Sequence, residues 1–209
     1  MNQQSFICDP YIRVLSVIRT PFLYSLNFFQ PPPPMSMDEM VLLVDSSDRV
    51  KGTMDKLAAH QEGKLHRAYS VFLFNAKGEL LLQRRSHSKY HSGGLWTNSC
   101  CSHPRPGEIT IESAARRLKE ELGIITPIRE VFGFVYMCPV ENGLFEYEYD
   151  HVFVGEFNSE PRLNLEEVME VRWAHPDEIL AEMEKEPTKF TMWFQLIFKD
   201  VLKRMNEAQ

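Results

Sequence analysis

Four consecutive prolines, Pro31–Pro34, set the strongest constraint on how this chain can fold. Proline fixes φ and has no backbone N–H, so neither a helix interior nor a central strand can run through such a stretch. Packed structure must therefore lie to one side of it. Upstream, Pro10 and Pro21 recur among scattered aromatics, with almost no charge and no sustained period of two or 3.6. Arg13 and Arg19 interrupt the apolar stretch that an export signal needs. We expect residues 1–36 to be a disordered or extended segment and residues 37–209 to form one domain. The folded part is expected to start near Met35 or Met37, so trimming to Met35 should leave function intact.

Past the prolines the pattern becomes regular. Met40–Asp45 reads as a strand, Ser46–Asp48 as a turn and Asp55–Gln61 as a short helix. Arg67–Asn75 and Glu79–Arg85 read as strands around a Lys77-Gly78 turn. Leu95–His103 reads as one strand entering a loop. Thr110 is placed as the N-cap of a helix ending at Leu122, with Gly123 beyond it and an apolar stripe of Ala114, Leu118 and Leu122. Strands follow at Ile128–Cys138, Phe145–Phe157 and Val168–Ala174, then helices at Pro176–Lys185 and Lys189–Met205. This order of strands, helix, strands and helices predicts a layered α/β (α+β) domain.

Charge and cysteines narrow the function classes. The net charge of −6 gives no global attraction to nucleic acid or an anionic membrane. No apolar run approaches the roughly 20 residues that span a bilayer. Cys8, Cys100, Cys101 and Cys138 include an adjacent pair and no CxxC, which suits reduced thiols in a cytoplasmic protein. We expect a monomer with a small-molecule partner and neither a nucleic-acid nor a membrane partner.

Chemistry concentrates in a few places. Arg117 and Glu121 lie four apart and share a helix face; a carboxylate there could hold Mg²⁺, although a solvated salt-bridged face is the commoner meaning. Glu146 and Glu148 lie two apart and point to one face of their strand, with Asp150 of the same parity a competing ligand. His60, His66 and His103 are candidate imidazole ligands, each weak alone, while His87, His91, His151 and His175 read as solvated or turn residues. Cys101 lies two residues before His103. Mixed His and carboxylate ligands suit Zn²⁺ or Mn²⁺ better than Mg²⁺. Lys56, Arg85 and Lys89 lie near these elements and could meet a diphosphate.

The string TNSCCSHP, Thr97–Pro104, resembles the active-site signature of the type I isopentenyl-diphosphate isomerases. HRAYSVFLFN and RRLKEELG are similar to the same family, and the resemblance runs from about Met40 to Leu202. It implies a Nudix-type α/β/α sandwich with a mixed central sheet. The helix resembles a modified Nudix box, in which Ser102 takes the first glycine position and Arg117 stands where hydrolases carry a glutamate. A cation there removes a carboxylate from the Mg²⁺ cluster that activates water.

Position by position, the resemblance implies that Cys101 is the catalytic thiol and Tyr136 an active-site tyrosine. It makes His60, His66, His103, Glu146 and Glu148 the ligands of a Mn²⁺ or Zn²⁺ site. Glu121 becomes a Mg²⁺ ligand working with the substrate diphosphate, Lys56, Arg85 and Lys89 diphosphate contacts, and Trp193 an aromatic lining the cleft. The chain departs from the commoner pattern at Ser92-Gly93, where many members carry an aromatic and a proline.

The implied reaction converts isopentenyl diphosphate into dimethylallyl diphosphate by a 1,3 proton shift. Glu148 would donate with Tyr136 relaying, Cys101 would accept as a thiolate, and Trp193 with Trp96 would face the cation. Two rivals are a Nudix hydrolase cleaving another diphosphate and a non-enzymatic metal-binding domain; adjacent cysteines with carboxylate ligands fit the second poorly.

Overall fold

A computed structural model describes Ser5–Ile7 and residues 39–207. Within them the chain runs β1 (Ser5–Ile7), β2 (Met40–Val44), β3 (Val50–Asp55), α1 (Lys56–Glu62), β4 (His66–Phe74), β5 (Leu80–Arg85), β6 (Trp96–Thr97) and β7 (Cys100–Ser102). It continues with α2 (Thr110–Leu122), β8 (Ile128–Pro139), β9 (Phe145–Glu156), β10 (Val168–Ala174), α3 (Pro176–Lys185) and α4 (Met192–Glu207). Of the segment expected to be extended or disordered, Ser5–Ile7 pairs in parallel with Val135–Met137; the rest of that expectation lies outside the described residues.

The sheet is mixed. Its main path is β1-β8-β9-β4-β2-β3, and β5 carries β10 and β6. β4 is its hub, parallel to β9 and antiparallel to β7, β2 and β5. A strand covered on both faces needs apolar residues at every position, and β4 supplies them from Val71 through Phe74. Tyr69, Val71 and Leu73 pack beneath Ala114, Leu118 and Leu122 of α2. Phe72 and Phe74 belong to the opposite core with Phe194, Ile197, Phe198 and Val201 of α4. Phe194 and Phe198 sit one helical turn apart with ring centroids 4.9 Å apart, and Phe72 stacks against Phe198 at 6.5 Å. Full burial of each such ring stabilises the fold by about 1.5–3 kcal/mol. The result is the α/β/α layering anticipated from the sequence.

Two local expectations need correction, and one strand, β3, has no counterpart in the sequence reading. Thr110 is the first helical residue of α2; Ile109 occupies the cap position and makes no side-chain cap bond. The helix end holds as read: Gly123 adopts φ +65, and a Cβ there would lie 2.9 Å from Arg162 Cβ. Leu95–His103 is not one strand. Asn98 and Ser99 break it into β6 and β7, and their side chains bond the backbone of the core: Asn98 donates to Val71 O at 3.2 Å and Ser99 to Leu81 O at 2.7 Å. β3 has no signature in the sequence because it is an edge strand whose residues are all exposed or half-buried, so nothing demands apolar alternation.

Candidate active site

β4, β8 and β9 carry the core of the site in register. His66 and Tyr136 both pair with Glu148, the first across the parallel β4–β9 ladder and the second across antiparallel β8–β9. A residue opposite another on the same sheet face meets it side chain to side chain. Tyr136 Oη accordingly donates to Glu148 Oε2 at 2.6 Å. Asp150 lies one step deeper, opposite Ala68 and Phe134. There it accepts a bond from Ser70 Oγ at 2.8 Å, and burial followed by the Glu148 charge pushes its carboxyl well up. The register thus separates Asp150 from the two glutamates that share its parity.

α1 and the β7 end bring in the imidazoles. His60, His66, His103, Glu146 and Glu148 each offer a ligand atom, all within 4.8 Å of one another. His60 Nδ1 donates to Lys56 O at 2.6 Å and His66 Nδ1 to Lys64 O at 2.7 Å. A carbonyl can only accept, so each Nδ1 carries a proton, and in the neutral ring that a metal ligand needs, each Nε2 turns a lone pair inward. His66 Nε2 lies 3.1 Å from His103 Nε2, which lies 2.8 Å from Glu148 Oε1. His60 Nε2 lies 3.2 Å from Glu146 Oε2, a buried oxygen with no hydrogen-bond partner of suitable geometry. Two imidazoles whose outer nitrogens are tied to carbonyls, with His103 and two carboxylates beside them, fit a divalent cation. Burial, then His66, holds His103 well below the ordinary histidine range, and neutral is the form a ligand needs.

The cleft beside this cluster is lined by Lys56, Arg85, Cys101, Arg117, Tyr136 and Trp193, with Glu146 and Glu148 on its floor. A roomier groove of about 560 Å³ lies at the start of β8 and the end of β9, but its lining offers no histidine and no cysteine. Size is therefore a poor guide here, and the chemistry marks the smaller cleft. Arg85 Nη1 lies 3.9 Å from Cys101 Sγ and its guanidinium 5.1 Å from the Trp193 ring. Burial pushes the Cys101 thiol up to about 12, with Arg85 opposing. The thiolate expected from the sequence needs cationic neighbours, and Arg85 is one such neighbour. Burial, then Lys89, depresses the Lys56 ammonium.

Other residues expected at the site fall differently. Glu121 is outside the five-residue group; its Oε1 accepts from Arg117 Nη2 at 2.5 Å. Arg117 also bonds Glu120 Oε2 at 3.1 Å and lies 3.2 Å from Glu167. Burial works against its charge, but Glu121 and its neighbours hold it. Lys89 lines the cleft and is ion-paired with Glu167. Trp96 does not line the cleft; Arg172 covers its ring at 4.6 Å, so the second cation-facing aromatic is misplaced by the sequence reading.

Two of the histidines read as solvated or turn residues are held against carboxylates. His91 is 5% exposed, lines the cleft and lies 3.0 Å from Glu146. His151 is held between Asp48 Oδ2 at 3.0 Å and Glu130 Oε1 at 2.8 Å on the far side of the sheet. Nothing local marks His91; only its depth beneath Tyr90 and Trp193 does.

Residues 64–194 match the NUDIX domain family. The chain is 49% identical over 161 residues to isopentenyl-diphosphate Delta-isomerase 2 of Photorhabdus laumondii, covering 77% of this chain and 91% of that one. It is 47% identical over 165 residues to isopentenyl-diphosphate Delta-isomerase of Serratia proteamaculans, covering 79% and 92%. Among solved structures, DR0079 from Deinococcus radiodurans superposes with a TM-score of 0.65 at 23% identity, over 77% of this chain and 98% of that chain. The MutT protein from Methanosarcina mazei gives 0.56 at 22% identity, over 69% and 96%; both speak to the fold alone. The chain belongs to the NUDIX family, among its isopentenyl-diphosphate Delta-isomerases.

Proposed function

We propose that this chain converts isopentenyl diphosphate into dimethylallyl diphosphate by moving a proton across three carbons. The observation that carries this reading is the presence of Cys101 and the Tyr136–Glu148 pair in one cleft, beside a His/Glu cluster fit for a cation. The residues that would hold that cation are His60, His66, His103, Glu146 and Glu148. Bound there, a divalent ion, Mn²⁺ or Zn²⁺ by the mixed donor set, would favour the charged carboxylate and make a proton on Glu148 easier to lose.

Alkenes are very weak bases, so the donor must be strong and the cation shielded. Glu148 supplies the proton to the terminal alkene carbon, with Tyr136 Oη, 2.6 Å from its oxygen, orienting or relaying it. The tertiary cation that forms faces the π surface of Trp193, a contact contributing about 2 kcal/mol when desolvated. Cys101 removes a proton from the carbon next to the diphosphate-bearing one, and the double bond forms there. Arg85 assists by favouring the thiolate. Water must be kept out, because it would trap the cation as an alcohol. Burial of Tyr136 and Trp193 serves that end.

Lys56, Arg85 and Lys89, joined by Arg117, form the cationic side of the cleft and would hold the diphosphate. Glu121 would contribute a carboxylate to a Mg²⁺ ion accompanying it, exchanging its Arg117 contact. We assign residues 37–209 as the isomerase domain, acting as a cytoplasmic monomer without nucleic-acid or membrane partners. Its negative net charge supports the absence of a nucleic-acid partner. No helix among the described residues is long and apolar enough to cross a membrane.

Hydrolysis is the alternative chemistry of the family, and Arg117 in the box weighs against it. Incubation with isopentenyl diphosphate, Mg²⁺ and heavy water separates the two. Deuterium-labelled dimethylallyl diphosphate is expected; inorganic phosphate or diphosphate release without the isomer would overturn the assignment.

A further inference from the structure

His91 belongs to none of the roles assigned so far, yet it is buried against the cluster. Its side chain is 3% exposed and its Nε2 lies 3.0 Å from Glu146 Oε1. A carboxylate can only accept, and the Ser92 hydroxyl can donate to Nδ1, so a hydrogen on Nε2 would satisfy both ring nitrogens. That is the reverse of His60 and His66, whose Nε2 lone pairs face the cluster while Nδ1 donates outward. His91 also falls outside the five residues whose ligand atoms converge. Lying beside a ligand oxygen but outside the converging group, its Nε2 is placed to donate to a ligand.

The ring is fixed from several sides. It meets Tyr90 edge-on at 4.5 Å and Trp193 edge-on at 6.0 Å between centroids. Arg85 donates to His91 O at 3.2 Å and to Ser92 O at 3.2 Å, gripping the loop backbone. Ser92 turns the chain with φ +52, and its N–H donates to Glu141 Oε2 at 3.0 Å. Its Oγ lies 3.2 Å from His91 Nδ1. A Cβ on Gly93 would meet the backbone of Ser86 and His87 at 3.2 Å, so the loop closes tightly. This is the stretch where the sequence departs from the commoner pattern of the family it resembles.

Glu146 needs such a holder. One of its oxygens, Oε2, is buried beside His60 Nε2 without a hydrogen-bond partner of its own. The other, Oε1, is the one His91 engages. We propose that His91 is a positioning residue: its Nε2–H anchors Oε1 of Glu146 and thereby presents Oε2 to the cation held by the histidines. Groups that orient a ligand in this way typically change metal affinity roughly 10–100-fold when removed. The proposal rests on the metal-site reading above, and its activity readout alone rests on the isomerase reading.

The test compares His91→Phe, which keeps an aromatic ring but no donor, with His91→Gln, which keeps a donor. Each full-length protein is stripped with chelator and titrated with Mn²⁺, and kcat and KM for isopentenyl diphosphate are then measured at saturating Mn²⁺. The Phe variant is expected to bind Mn²⁺ roughly 10–100-fold more weakly. The Gln variant should recover most of that loss, and KM should stay within about threefold of wild type for both. Mn²⁺ binding by His91→Phe equal to wild type would overturn the proposal, as would a Gln variant as weak as Phe. Should the Phe variant fail to fold, ¹⁵N-labelled wild type decides: a protonated, hydrogen-bonded His91 Nε2 is expected, and an unprotonated one is fatal to the idea. A wild type that shows the Mn²⁺ pattern without turning over isopentenyl diphosphate would refute the isomerase reading and leave this inference standing.

Discussion

Replacing Tyr136 by Phe removes one oxygen and little else. The ring is 2% exposed, stacks on Phe134 at 5.4 Å and keeps that packing without its hydroxyl. What is lost is the donor 2.6 Å from Glu148 Oε2. Glu148 is itself 7% exposed, so water cannot freely replace that donor. Burial raises the Glu148 carboxyl, while the neighbouring His66 first and the Tyr136 hydroxyl later bring it below the ordinary range. A hydrogen bond to a charged group contributes about 1.5–3 kcal/mol. We expect the chelator-treated variant to lose about 2 kcal/mol of stability, a Tm drop of ~4–8 °C for a domain of this size. Turnover should fall by roughly 100-fold or more, the usual contribution of a positioned proton-transfer group. Circular dichroism melts in chelator and isopentenyl diphosphate turnover measure the two effects separately. A Tm within about a degree of wild type, with kcat within threefold, would refute both the energetic reasoning and the relay.

Other perturbations test the remaining parts. Cys101→Ala should abolish detectable turnover while KM or direct binding of the diphosphate stays near wild type; near-normal kcat would remove Cys101 from the mechanism. Arg117→Glu puts a carboxylate among Glu120, Glu121 and Glu167, and should raise KM roughly tenfold or more and lower Tm. Unchanged KM would separate Arg117 from the diphosphate. Adding Zn²⁺ or Mn²⁺ at about 100 times its dissociation constant should stabilise the stripped protein by about 2.7 kcal/mol, seen as a higher Tm. The His151 ring sits between Asp48 and Glu130, which raise its pKa against the effect of burial, while Arg67 holds Asp48 from another side and Tyr149 lies alongside. A raised folded-state pKa contributes stability that is full below the unfolded value near 6.5 and is lost as pH rises through the folded value. His151→Asn should therefore lower Tm more at pH 6 than at pH 9, and an equal loss at both would reject the ion-pair account.

Much of the fold could be read directly because its signals are local. β10 and α3 begin and end where period and capping place them, and α2 ends where Gly123 permits a left-handed turn. The family signature around Cys101 and His103 and the alternation that puts Glu146 and Glu148 on one face are equally local. β3 could not be read, since an exposed edge leaves composition free. The break between β6 and β7 could not be read either, because Asn98 and Ser99 earn their places through bonds to Val71 and Leu81, far away in the chain.

The sequence by itself determined which residue types could do this chemistry and which faces they occupy. Period, parity and capping depend only on neighbours within a few residues. The tertiary structure alone decided depth. Three acidic residues share a strand face, but strand register sets Glu148 opposite Tyr136 and His66 and sends Asp150 beneath Ala68 and Phe134. The same packing carries His91 to Glu146, gives Arg172 the Trp96 ring and half-buries Cys101. Which side chains meet across strands, and how much water reaches them, follows from how whole elements stack, and no stretch of sequence holds that information alone.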